Sequence, residues 1–89
     1  MSAPNQDQRG APFVHRERAR FERLLADADE HELRVQALVR LRAVSGPGPC
    51  TDDDRWRLER VVEACRARGL GAWVDRELAD APGAAELAG

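Results

Sequence analysis

A chain of 89 residues has room for one domain, and its core is small enough that a metal, disulfides or a second subunit would add useful stability. A net charge of −2, with Arg interleaved among Asp and Glu throughout, argues against a nucleic-acid binder, which presents an uncompensated basic face. No apolar run approaches the roughly 18 residues of a membrane span, and the polar stretch from Met1 to Pro12 lacks the apolar segment of a signal peptide. No membrane role and a cytoplasmic location are therefore expected.

The basic residues are all Arg, and Lys, Ile and Tyr are absent, a drift that GC-rich bacterial genomes produce. Cys50 and Cys65 are too few and too far apart for a disulfide scaffold, so both are expected to be reduced thiols.

Residues 1–11 hold Pro4, Gly10 and a polar run, without the periodic apolar residues that would offset the entropy of ordering them, and read as a flexible tail. Residues 12–44 contain no Gly or internal Pro, and Pro12 suits a first helical turn. Phe21, Leu24, Leu25, Ala28, Val35, Leu38, Val39 and Arg42 keep one 3.6-residue phase, which fits a single long helix. The competing reading breaks that helix near Asp29, because Asp29 and Glu32 have the spacing of a capping box.

Ser45-Gly46-Pro47-Gly48-Pro49-Cys50 cannot continue a helix, so the chain reverses there. Thr51 can cap a helix over 52–69 whose first turn, Asp52-Asp53-Asp54, complements the helix dipole and whose apolar stripe is Leu58, Val61, Val62 and Cys65. Gly69 ends it. A last helix over 71–80 aligns Trp73, Val74 and Leu78 with Leu70 before Pro82-Gly83, and 81–89 read as a second flexible tail. The expected fold is all-α: an antiparallel hairpin or bundle of three or four helices in one domain over residues 12–80. With the long helix unbroken, facing residues of the hairpin have numbers summing to about 96, which pairs Leu38 with Leu58, Val35 with Val61, His31 with Cys65 and Leu24 with Trp73.

Few residues invite chemistry. His15, His31, Cys50 and Cys65 are the only soft metal-ligand candidates, and they lack the close pairs from which a zinc site is assembled; on one helix His15 and His31 stand about 24 Å apart. His31 opposite Cys65 could activate a thiol, but nothing supplies an oxyanion hole or an orienting acid, and a core Cys beside an edge His is the plainer reading. The acidic run 52–54 lacks the alternation and central Gly of a calcium loop. Arg16, Arg20 and Arg23 share a helix face, but Glu17, Glu22 and Asp27 lie among and beside them, so the face reads as solvated ion pairs. The last two helices could imitate a helix-turn-helix, yet Asp75, Glu77 and Asp80 outnumber Arg76 on the second one and would repel phosphate. No catalytic residue, cofactor or metal is assigned.

A second stripe, Leu33, Ala37, Leu41 and Val44, lies about 120° to 200° from Phe21 around the same helix, and Trp56 points about 160° away from Leu58. In one reading the helix breaks near Asp29 and the second stripe becomes core. In the other, Leu33, Ala37, Leu41, Val44 and Trp56 form a partner-binding patch. The expectation is a small non-catalytic protein–protein interaction protein, adaptor, regulatory or assembly-forming, homodimeric or docked on a larger bacterial protein. The alternative is a DNA-associated transcriptional regulator.

Overall fold

The computed structural model describes residues 3–87, with side chains from His15 to Ala85 and at Leu87. Its described residues form four α-helices and a terminal 3₁₀ turn and contain no strand: α1 (Ala3–Asp27), α2 (Glu30–Ser45), α3 (Asp52–Ala67), α4 (Gly71–Ala79) and the turn Ala85–Leu87. The all-α class and the antiparallel arrangement of α2 and α3 agree with the sequence.

The stretch 12–44 is two helices. Asp29 takes an extended conformation (φ −85°, ψ −179°), and its carboxylate accepts a 2.8 Å hydrogen bond from the backbone N–H of Glu32. A residue that can cap a helix competes with its continuation, and here capping wins over the unbroken periodicity. The break also resets the helix phase, so the α2 core stripe no longer has to continue the stripe of α1. Upstream, the helical backbone starts at Ala3, where Pro4 occupies the first turn, and the part of the expected tail that the structure describes lies within α1.

The α3 N-terminus carries a full capping box: the Thr51 hydroxyl accepts from the Asp54 N–H at 3.1 Å, and the Asp54 carboxylate accepts from the Thr51 N–H at 3.0 Å. Its C-terminus closes on Gly69 (φ +83°), with Leu70 N–H donating to the Cys65 carbonyl at 2.8 Å and Gly69 N–H to the Arg66 carbonyl at 3.2 Å. The left-handed glycine satisfies carbonyls that a helix end leaves open, and buried Leu70 covers the turn.

α3 contacts all three other helices and is the centre of the fold. One core joins Phe21, Leu25 and Ala28 of α1 and its end, Leu33, Ala37, Leu41 and Val44 of α2, Leu58, Val61, Val62 and Cys65 of α3, and Leu70, Val74 and Leu78. In place of the tail expected from residue 81, Ala81 and Ala84 are buried at the end of the bundle, and Arg66 donates to the Leu87 carbonyl at 3.0 Å. Alanines bury little area each, so this segment carries no periodic signal; their small side chains instead let the backbone lie close against the core.

Candidate functional site

The residues assigned to a partner-binding patch lie elsewhere. Leu33 is 0% exposed, and Ala37, Leu41 and Val44 are buried with it, all in the core that includes the α3 stripe. Trp56 is half-buried: its ring lies 6.1 Å from that of Phe21, and the Arg18 guanidinium sits 4.6 Å from its centroid. It faces away from the α2–α3 core, as its angle on α3 implies, because it forms the seat on which α1 docks. Leu33, Ala37, Leu41 and Val44 are therefore core, through the phase reset at Asp29, and Trp56 is half-buried packing between α3 and α1.

The same reset turns the other stripe outward. Val35, Leu38 and Val39 of α2 are 42%, 40% and 50% exposed, and with Leu24 of α1 they are the large exposed hydrophobic residues of the described chain. The expected pairings of Val35 with Val61 and Leu38 with Leu58 do not occur, since Val61 and Leu58 share the core with Leu33, Ala37 and Leu41 instead. At i, i+3 and i+4 the three α2 side chains form one patch, with Val35 and Val39 opposite Ala37 and Leu38 at its edge about 100° from Ala37. The sequence does contain a sign of this. Arg42 falls in the Val35, Leu38, Val39 stripe, and an unpaired guanidinium belongs in water and not in a core.

Charged residues frame the patch. Glu32 and Arg42 are exposed at its two ends, and their side chains make no hydrogen bond or ion pair among the described residues. Most other charges near the helix contacts are engaged. Arg34 reaches Glu30 at 3.4 Å and lies 5.2 Å from the Trp73 centroid, tying α2 to α4. Arg57 binds Asp53 at 2.7 Å, Arg40 and Arg57 flank the Phe21 ring at 5.0 Å each, and Arg60 links Glu22 at 2.8 Å and Glu63 at 2.6 Å. Hydrogen bonding from Arg57 holds the Asp53 carboxyl below its ordinary range, and burial lowers the affinity of Arg40 for its proton.

The candidate chemical groups are not assembled. Cys65 is 0% exposed, and burial pushes its thiol pKa up, against the lowering a nucleophile needs, while His31 is exposed. Among the described residues no three His, Cys, Asp or Glu side chains come together as metal ligands. A groove of about 360 Å³ between α1 and α3 is lined by Glu22, Leu25, Arg60, Glu63 and Arg68. There Arg60 is held by both acids, and Arg68 donates to the Ala26 carbonyl at 2.9 Å, so the charges answer one another across the groove. No described helix is long and apolar enough to cross a membrane.

Comparison with known protein families, characterised proteins and solved structures finds no match to this chain.

Proposed function

We propose that this chain is a non-catalytic interaction module, serving adaptor, regulatory or assembly roles, that buries the outward face of α2 against another protein surface. The observation that carries the reading is the patch of Val35, Leu38 and Val39, each 40–50% exposed on a helix whose opposite face is fully used by the core. Completing the burial of such side chains contributes roughly 1 kcal/mol each. Association costs several kcal/mol in lost freedom, so the partner surface must be apolar as well, and a contact of this size belongs to the transient class. The compartment is a bacterial cytoplasm on this reading; the all-Arg composition and the two unpaired thiols, Cys50 and Cys65, support it.

Nothing at the α3–α4 corner favours DNA binding. Asp75 is drawn to Arg66 at 2.6 Å, and α4 leaves Arg76 exposed with Asp80 nearby.

Photo-crosslinking in the cells that make the protein tests the proposal. A photoreactive side chain at position 38 should give a discrete adduct, and the same group at exposed Glu59 on α3 should not. Equal labelling from both positions, or none from position 38, would remove the α2 face as a binding surface.

A further inference from the structure

We infer that the occupant of the α2 face is a second copy of this chain, packed antiparallel about a two-fold axis that passes opposite Ala37. The inference rests on the reading of that face as a binding surface and adds its partner. Its basis is the order of residues on the exposed side of α2. Counting outward from Ala37, Val35 and Val39 stand at equal distances, and further out Glu32 and Arg42 stand at equal distances. At 100° per residue, Val35 and Val39 lie about 20° to either side of the line opposite Ala37, and Glu32 and Arg42 about 40° to either side. Ala37 is buried, so this line is the outward normal of the helix.

A surface that meets its own copy across a two-fold axis must be self-complementary: apolar positions must map onto apolar ones and charges onto their opposites. Within about 40° of its outward line the α2 face satisfies both conditions, with Val35 matched by Val39 and Glu32 by Arg42. Antiparallel pairing places Val35 against Val39 of the second copy, with Leu38 on the flank of the seam about 80° from the outward line, and sets Glu32 at the level of Arg42 twice over. A parallel pairing places Glu32 against Glu32 and Arg42 against Arg42. The two charged side chains at the ends of the patch are also left without an intramolecular partner among the described residues, in a protein whose Arg residues are otherwise mostly committed to acids, carbonyls or aromatic rings. Opposed charges at the ends of a small apolar seam fix orientation and exclude the wrong register. The small core of an 89-residue chain makes a second subunit a ready source of added stability.

Charge reversal in the full-length chain separates this arrangement from any other. By sedimentation equilibrium the wild type should form a concentration-dependent dimer. Glu32→Arg and Arg42→Glu should each dimerise about tenfold more weakly, because each variant faces like charges at both ends. An equimolar mixture of the two variants should recover the wild-type average mass, since in the mixed dimer position 32 of each chain meets an opposite charge at position 42 of the other. Both changes lie on the exposed face, and although each opposes the α2 dipole in its first or last turn, that effect is too small to unfold the helix, so circular dichroism should stay close to that of the wild type; Leu38→Glu should give a helical monomer. A wild type that stays monomeric, a dimer indifferent to both reversals, or a mixture that gains no mass overturns the inference. In the crosslinking experiment an adduct of twice the chain mass supports it. A monomeric wild type that still crosslinks from position 38 to a different protein overturns the second copy and leaves the interaction reading standing, whereas a monomer without any adduct ends both.

Discussion

Leu33 and Leu38 occupy the same helix, yet Leu33 is completely buried and Leu38 is 40% exposed. Truncating a fully buried leucine removes its transfer free energy and leaves a cavity, so Leu33→Ala should lower unfolding stability by about 2–5 kcal/mol in urea titrations. Leu38→Ala, measured where the protein is monomeric, should cost about 1 kcal/mol, well below the Leu33→Ala effect. The reverse order would mean that α2 presents its other face to α3. Cys65 makes a second residue-level case. Its thiol is buried and Cys50 is only half-buried, so a thiol reagent should label one cysteine promptly in the native protein and both in denaturant. Burial raises the Cys65 pKa in the folded state. Its contribution to stability is therefore complete below the ordinary thiol pKa of about 8.5 and is lost as the pH rises through the higher folded value, so Cys65→Ala should flatten the alkaline decline of stability.

At the scale of the element, legibility follows how local the signals are. The start of α3 is readable because Thr51 and Asp54 supply both halves of their box within four positions, and its end because Gly69 must adopt a positive φ. The ion pairs Glu30–Arg34 and Asp53–Arg57 are readable for the same reason. The boundary at Asp29 is harder. A helix period favours one phase through residue 42, and a single capping side chain favours a break; which wins depends on whether α3 offers a better fit to Leu33, Ala37, Leu41 and Val44 than to Val35, Leu38 and Val39, and that is a tertiary question. Carrying the α1 phase past Asp29 puts every site residue of α2 on the wrong side of the helix. The cap at Asp29 should therefore matter beyond its own hydrogen bond: Asp29→Ala should cost about 1 kcal/mol in urea titrations, and Asp29→Ser should recover most of it. An Asp29→Ala variant as stable as the wild type would place the cause of the break in packing alone.

At the scale of the molecule, α3 holds α1, α2 and α4, and each contributes a buried apolar stripe to that centre among the described residues. Beyond that stripe α2 is apolar on a second side, at Val35, Leu38 and Val39, and a small domain with such an unspent face has a direct way to gain stability by association. Binding of a second copy stabilises the native state in proportion to the logarithm of its concentration relative to the dissociation constant, because unfolded chains do not form the interface. The midpoint of thermal unfolding should thus rise with protein concentration for the wild type. For a domain of this size a gain of about 1 kcal/mol moves the midpoint by roughly 4–8 °C, which is easily resolved over a hundredfold range of concentration. Leu38→Glu should remove the concentration dependence and lower the dilute-limit midpoint far less than Leu33→Ala does, since that side chain is only partly buried in the single chain. A wild-type midpoint that does not move with concentration would show that the α2 face contributes nothing to the native state by self-association, and a Leu38→Glu midpoint that drops at high dilution as far as that of Leu33→Ala would show that Leu38 belongs to the core.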